Sequence, residues 1–190
     1  MSDDSISRFY LAKNYFTSTR YVLFSSVSFF GSMSTSEFLL RQVSRLAKIA
    51  PPSTKKYLQE LEKEGVIAKV TKGLYPSYKA VRESSLFKNL KKWSLAMELT
   101  TKGVVDAIVT ECSPDAIILF GSASRGEDVE SSDIDIAIIA EETTLDLRKY
   151  EKLVGRKLSL LFISKLSDLS SELKNNVLNG MILQGYVKVF

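Results

Sequence analysis

Two aspartates and a Gly-Ser pair are the residues of this chain whose types and spacing could do chemistry. Gly121-Ser122 directly follows the apolar run from Ala116 to Phe120, and Asp133 and Asp135 stand at the start of a second apolar run. Short apolar runs are typical of buried strands, and residues two apart on a strand point to the same side of it. Paired carboxylates suit a divalent cation, and backbone N–H groups after a strand suit an anion. The stretch predicts a phosphate cradle beside a divalent-metal site.

The elements that must position these residues follow an α/β pattern from residue 115 onward. The predicted elements are strands over 116–120, 134–140 and 157–163, a loop and helix start over 121–130, and a helix over 166–178. The apolar end of the chain, "YVKVF", is expected to add an edge strand. Together these elements predict a small mixed sheet flanked by helices.

The spacing of the site residues resembles the signature of minimal nucleotidyltransferases of the DNA polymerase beta superfamily. Gly121-Ser122, ten residues, and then Asp133-Ile134-Asp135 carry the resemblance. Gly126 fills the second glycine of the family's GSxxxG form, and Ser132 precedes the first aspartate. The resemblance covers about residues 101–190. It implies a polymerase-beta-like domain that transfers a nucleoside monophosphate to a protein or nucleic-acid acceptor, with AMP from ATP expected.

The chemistry of this transfer gives each motif residue an expected role. A hydroxyl attacks the α-phosphorus of a nucleoside triphosphate, and charge develops on the phosphoryl oxygens and on the pyrophosphate that leaves. Asp133 and Asp135 are the expected catalytic residues and the expected ligands of Mg²⁺ (or Mn²⁺). The residues expected to bind the nucleotide are Gly121, Ser122, Arg125, Gly126 and Ser132.

One position departs from the pattern that the resemblance implies. Many members of the superfamily carry a third aspartate on the following strand, which here is "KLSLLFI", and the matching residue is Ser159. A serine hydroxyl is a poor magnesium ligand and a weak base near neutral pH. Asp146, Glu151 and the Glu141-Glu142 pair are nearby alternatives. An inactive or nucleotide-sensing domain in a DNA-binding regulator therefore stays open as a second function.

Charge is divided unevenly between the two halves of the chain. Residues 1–100 hold 16 lysines and arginines against 8 aspartates and glutamates, a net charge of +8, whereas residues 101–190 hold 10 against 14, a net charge of −4. An asymmetry of this size predicts two modules with different partners. The basic half is the candidate for nucleic acid.

Patterns in the basic half predict two helices with a break between them. Ser34 and Glu37 have capping-box spacing, which predicts that a helix begins at Ser34. A further helix is expected over 52–64, after the break at Ala50-Pro51-Pro52, and Gly65 is expected to cap its C-terminus. The apolar residues expected on the inner faces are Phe38, Leu39, Val43, Leu46, Tyr57, Leu58 and Leu61.

The order of elements in the basic half resembles a winged helix-turn-helix. "YVLFSSVSFF", within residues 6–30, predicts a core helix, and "VIAKVTKGLYPSY" predicts a hairpin that turns near Lys72-Gly73. The resemblance implies that the start of the 52–64 helix and the wing contact duplex DNA. The expected contact residues are Ser53, Lys55, Lys56, Lys69 and Lys72. A module that only docks another protein is the alternative.

Composition limits the remaining function classes. The chain has no histidine, which excludes imidazole catalysis and most zinc sites, and its single cysteine, Cys112, excludes an internal disulfide. The apolar stretch in residues 6–30 lacks the features of a signal peptide and is too short to span a bilayer. These features predict a cytoplasmic protein without a membrane partner. A homodimer stays open.

The expected domain organisation is a winged helix-turn-helix over 1–82, a linking helix over 83–100 and a nucleotidyltransferase domain over 101–190. A second helix is expected over 101–111. On the linking helix, apolar residues at spacings of four, three and four share one face. These residues are Leu86, Leu90, Trp93 and Met97.

Overall fold

The computed structural model describes residues 36–71 and 74–188 of the 190-residue chain. The chain divides into two compact units, Met1–Leu90 and Lys91–Phe190. The helix predicted within residues 6–30, its neighbour Ser34, and the turn residues Lys72 and Gly73 lie outside the described residues. Among the described residues, no helix has the length and apolar character needed to cross a membrane.

In the described part of the first unit, two helices pack with a three-stranded antiparallel sheet. The elements are β1 (Glu37–Leu39), α1 (Leu40–Ala47), α2 (Pro51–Lys63), β2 (Ile67–Val70) and β3 (Ser77–Ala80). The strand order is β1-β3-β2, so β2 and β3 form the predicted hairpin and β1 pairs with the other edge of β3. The core of this unit consists of the buried side chains of Phe38, Val43, Leu58, Leu61, Val66, Ile67, Tyr78, Ala80 and Phe87.

The predicted start of the first helix is wrong, because Glu37–Leu39 form a strand and the helix begins at Leu40. Glu37 pairs with Lys79 on β3, and the Ser77 hydroxyl donates to Oε2 of Glu37 at 2.9 Å. The alternation of an exposed Glu37, a buried Phe38 and an exposed Leu39 is the period of a strand. Leu46 is also 58% exposed and does not face the core.

The second helix of the first unit follows the sequence pattern. α2 begins at Pro51, whose missing N–H costs no hydrogen bond at a helix start. Leu58 and Leu61 are buried as expected, and Tyr57 is partly buried. Gly65 has a φ of +68° and lies just past the end of the helix. Its N–H donates to Glu62 O at 3.1 Å, which confirms the predicted glycine cap.

The second unit contains a four-stranded mixed sheet with helices, which confirms the predicted α/β class. α3 (Ser85–Thr101) begins in the first unit and ends in the second. The elements that follow are α4 (Val104–Cys112), β4 (Ala116–Leu119), α5 (Gly121–Arg125), β5 (Ile134–Ile139), α6 (Arg148–Val154), β6 (Leu158–Phe162), a 3₁₀ turn (Leu166–Asp168), α7 (Ser171–Leu178) and β7 (Met181–Gly185). The strand order is β6-β5-β4-β7, with β5 and β6 parallel and the other pairs antiparallel.

The centre of this sheet is fully buried, which gives the candidate site a rigid support. Ile134, Ile136 and Ile138 of β5 are each 0% exposed and pack in one cluster with Ile117 and Leu119 of β4. Burying an aliphatic side chain of this size contributes roughly 1.5–3 kcal/mol. The alternate residues of β5 face the other side of the sheet.

Two predicted elements near the chain end differ from the structure. The edge strand is Met181–Gly185 rather than "YVKVF", and it ends at Gly185, whose φ is +74°. The predicted helix over 166–178 divides into the 3₁₀ turn and α7, because Ser170 caps the later segment by accepting the Leu173 N–H at 3.3 Å. The short, highly charged helix α6 was not predicted.

Of the four apolar residues predicted to share a face of the linking helix, only Leu90 packs, partly buried, against the core of the first unit. Trp93 is 59% exposed and Met97 is 46% exposed. The most deeply buried apolar residues of α3 are instead Phe87, Leu95 and Leu99.

Candidate active site

The structure brings Gly121 and Asp135 into contact. β4 is antiparallel to β5 with Leu119 opposite Ile136, and the Phe120 N–H donates to the Asp135 carbonyl at 3.0 Å. Gly121 has a φ of +69°. A Cβ on this glycine would overlap Oδ2 of Asp135 and lie 3.3 Å from its Cγ. A side chain at this position would displace the carboxylate and would adopt a φ that residues other than glycine rarely take.

The second carboxylate stands next to the first along the chain. Asp133 directly precedes β5 and is exposed, whereas Asp135 is half-buried within the strand. Ile134, which lies between the two aspartates, and Ile136, which follows them, point into the core. Because side chains alternate along a strand, both aspartates point to the opposite side. Carboxylate oxygens are the donors that Mg²⁺ and Mn²⁺ prefer, so these two residues fit such an ion.

The short helix α5 explains the second glycine of the motif. Gly126 has a φ of +69°, and its N–H donates to the Ala123 carbonyl at 3.1 Å. The next N–H, that of Glu127, donates to the Ser122 carbonyl at 3.0 Å. This pair of bonds ends a helix and needs the left-handed conformation that glycine adopts easily. Gly126 thus shapes the backbone that follows Ser122.

Arg125 and Ser132, the other residues expected to bind nucleotide, have intramolecular partners. Nε of Arg125 lies 2.9 Å from Oε2 of Glu127, and the side chains of both residues are about half exposed. The Ser132 hydroxyl accepts the Val129 N–H at 3.2 Å, and the Ser132 N–H donates to the Val129 carbonyl at 3.0 Å. Ser132 therefore closes the turn that leads to Asp133.

Ser159 lies directly opposite Asp135 in the sheet. β5 and β6 are parallel, and Asp135 is the register partner of Ser159. The strand that the sequence aligned with the third carboxylate is thus the neighbour of β5, and its residue at this position is an exposed serine. Among the residues that the structure describes, no cluster of three or more histidine, cysteine or acidic side chains could hold a metal.

The alternative carboxylates are engaged elsewhere. Asp146 receives hydrogen bonds from the Arg148 side chain and backbone, which lower its pKa to about 2 and make it a weak base. Oε1 of Glu151 accepts the Leu158 N–H at 3.0 Å. Glu141 and Glu142 follow β5 at the end remote from Asp135, about 20 Å away at 3.3 Å per residue.

The surroundings of Cys112 favour the protonated form of its thiol. Burial and the neighbouring Glu111 carboxylate raise the pKa of its thiol. A thiol must lose its proton to attack, so a raised pKa keeps Cys112 in the unreactive form.

Three residues beside the site were not found from the sequence. Asp128 is 2% exposed and pairs with Lys91 and Arg156. Arg156 also donates to the carbonyls of Ser132 and Asp133. Nothing in the spacing of these residues indicates that they meet, because Lys91 and Arg156 are 37 and 28 positions from Asp128.

An open groove lies along α6 and the start of β6. Its volume is about 540 Å³, and four of its six lining residues are basic. The lining residues are Arg148, Glu151, Lys152, Gly155, Arg156 and Lys157.

The residues expected to contact DNA all belong to the first unit. Ser53, Lys55 and Lys56 are exposed near the start of α2, and Lys69 is exposed on β2. Lys72 lies outside the described residues.

Comparison with known protein families relates the second unit to one of them. Residues 103–185 match the family model described as "Polymerase beta, Nucleotidyltransferase". The matched stretch contains all four core motif residues: Gly121, Ser122, Asp133 and Asp135. This match supports the nucleotidyltransferase superfamily and, at a coarse level, a transferase activity. No curated protein and no solved structure matches the chain.

Proposed function

We propose that the second unit is a magnesium-dependent nucleotidyltransferase acting on a hydroxyl of a protein or nucleic-acid acceptor. The donor is a nucleoside triphosphate, with AMP from ATP as the expected transferred group. The observation that carries the proposal is the contact between Gly121 and the Asp135 carboxylate, within residues 103–185, which match the nucleotidyltransferase family.

The aspartates would hold the metal ion. Asp133 and Asp135 supply carboxylate oxygens from one side of a rigid strand, which suits Mg²⁺ or Mn²⁺. When bound, the ion neutralises charge that develops on the phosphoryl oxygens. The buried isoleucines of β5 fix the strand, so the carboxylates need little reorganisation when substrate arrives.

The backbone after β4 would hold the phosphates. Gly121 leaves room for an anion to approach the chain closely, and Ser122 adds a hydroxyl and an N–H. Arg125 is exposed and could add a charged donor, but it would first have to leave Glu127. Gly126 and Ser132 support this arrangement by shaping the backbone on either side of the loop.

Ser159 should limit turnover more than binding. Ser159 lies opposite Asp135, where a third carboxylate would serve as a general base or as a further metal ligand. Because positioning and charge stabilisation carry much of phosphoryl transfer, a slow transferase remains the expected outcome.

The same serine favours a second function. A chain whose transferase unit binds nucleotide without turning it over would act as a regulator through its first unit. That unit is proposed to be a winged helix that contacts duplex DNA or docks a protein, on the basis of α2, the β2–β3 hairpin and their exposed lysines.

Labelled transfer tests the proposal. The full chain is incubated with nucleoside triphosphates labelled at the α-phosphate, magnesium, and a lysate of the source organism. A labelled macromolecule is expected with the wild type and absent with the Asp133→Asn/Asp135→Asn double variant. If magnesium-dependent nucleotide binding occurs but no label is transferred by the wild type, the regulator is the better description.

A further inference from the structure

A buried cluster of charges lies beside the loop that leads to Asp133. We name it the Asp128 array; it consists of Lys91, Asp128 and Arg156, whose side chains are only 7%, 2% and 16% exposed. Nη1 of Arg156 lies 2.6 Å from Oδ2 of Asp128. Lys91 Nζ lies 2.9 Å from Oδ1 as an ion pair without hydrogen-bond geometry, and it also donates to the Asp128 carbonyl.

Such an array is costly to bury, so its contacts deserve a physical reason beyond stability. Removing charges from water costs several kcal/mol per ion, and a buried pair is often no more stabilising than apolar residues of similar volume. One carboxylate here lies between two cations, Lys91 and Arg156. Beyond stability, the contacts of the array constrain the backbone around it.

The geometry is imposed on the backbone immediately before the candidate metal ligands. Nε of Arg156 donates to the Ser132 carbonyl at 2.8 Å, and Nη2 donates to the Asp133 carbonyl at 3.3 Å. With the bond to Asp128, one planar guanidinium contacts both ends of the 128–133 loop. A guanidinium presents its donors in a fixed fork, so these contacts also fix the loop's orientation.

The array is anchored on two separate elements of the second unit. Lys91 belongs to α3, and Arg156 comes two residues before β6. The Ile134 N–H donates to the Lys157 carbonyl at 2.9 Å, so the chain after Arg156 also pairs with the residue between the two aspartates. A shift of Arg156 would therefore be felt at Asp133 and Asp135.

We propose that Arg156 is a positioning residue for the metal-binding aspartates. It acts through the Ser132 and Asp133 carbonyls, and Asp128 with Lys91 holds its guanidinium in place. The catalytic consequence rests on the proposed function, whereas the fixing of the loop does not. Lysine at this position would keep Asp128 paired but could not bridge both carbonyls, because its ammonium is a point charge on a flexible stem.

The test compares Arg156→Lys with Arg156→Met and with the control Arg148→Gln in the full chain. Arg148 lines the same groove but is 82% exposed and pairs with Asp146. Three quantities are measured: the melting temperature, amide hydrogen exchange of residues 127–135 without ligand, and the Kd of a fluorescent nucleotide with magnesium. Exchange does not depend on nucleotide binding, so it reports on the loop even if the proposed function fails.

Arg156→Lys should keep most of the wild-type melting temperature, raise exchange within residues 127–135 about tenfold, and weaken nucleotide binding by about 10–100-fold, the usual range for residues that orient metal ligands. Arg156→Met should lower the melting temperature as well, and Arg148→Gln should change none of the three. The proposal is overturned if exchange in Arg156→Lys equals that of the wild type, or if it rises throughout the unit in step with lost stability. A wild type that binds no nucleotide refutes the proposed function alone.

Discussion

The candidate functional residues of the two units differ in how firmly they are held. In the first unit, Lys55, Lys56 and Lys69 are exposed side chains. In the second, Asp135 is half-buried on a strand and in contact with Gly121. Exposed lysines attract phosphate over a distance and are screened by salt. A site built on a rigid strand instead holds its groups in place before the ligand binds. Catalysis requires groups that are positioned in advance, whereas electrostatic attraction of phosphate does not.

The difference in net charge follows the same division. Residues 1–90 hold 14 lysines and arginines against 7 aspartates and glutamates, a net charge of +7, and residues 91–190 hold 12 against 15, a net charge of −3. If the protein binds nucleic acid, the general electrostatic attraction is expected from the first unit. In the second unit, the negative charge includes the two aspartates that would hold a cation. A substitution at the candidate site of the second unit should therefore abolish nucleotide binding. A substitution of one exposed lysine in the first unit should weaken DNA binding only in part.

The largest effect is expected from Asp135→Asn. The amide keeps the shape of the side chain but loses the charge that would hold magnesium, so magnesium-dependent nucleotide affinity should fall by at least about 100-fold. Titration of a fluorescent nucleotide with and without magnesium measures this loss. Asp168→Asn, at an exposed position in the 3₁₀ turn, is the control and should bind like the wild type. Equal affinity in the Asp135 variant would remove the metal role.

Gly121→Ala should come next, because its methyl group would overlap the Asp135 carboxylate. Nucleotide binding should weaken about tenfold or more, and the strained backbone should lower the free energy of unfolding by about 1 kcal/mol. Gly155→Ala is a matched control, since Gly155 also has a positive φ, of +79°, but open space around its Cβ position. Denaturant unfolding and nucleotide titration are compared. If both variants bind nucleotide equally well, the close approach at Gly121 has no role in the site.

Ser159→Asp would add a carboxylate opposite Asp135 in the sheet. If a base is what the site lacks, transferase activity should rise about tenfold, and nucleotide affinity should change less. Steady-state rates with labelled nucleotide measure the change, with Ser164→Asp, an exposed position beyond β6, as the control. A wild type that already turns over rapidly, and gains nothing from the aspartate, would show that another group does this work.

The smallest effects are expected at the lysines of α2. If the first unit binds duplex DNA, Lys55→Ala or Lys56→Ala should weaken binding severalfold for all sequences and reduce the slope of log K against log salt by roughly one. Lys63→Ala, exposed at the other end of the same helix, is the control. Gel shifts over a range of salt concentrations measure the slope. Absence of a complex at low salt, together with capture of a protein by the full chain, would indicate a docking module.

Local pattern alone determined the strands that carry the candidate site. Apolar runs of four to six residues between turn signals are typical of buried strands, and the spacing of Gly121 and Asp135 follows from the turn and loop between two such strands. The cap at Gly65 and the break before α2 are equally local, because they depend on the φ angles that glycine and proline allow. Such features need no knowledge of distant residues.

Pairing between distant segments decided the rest. Glu37–Leu39 reads as the start of a helix by its capping-box spacing, yet it forms a strand because β3 offers an edge to pair with. The edge strand at Met181–Gly185 likewise depends on β4. Ser159 could be aligned from the sequence, but only the parallel register places it opposite Asp135. The Asp128 array gave no signal at all, because ion pairs between residues about 30 positions apart form only once the sheet has brought their elements together.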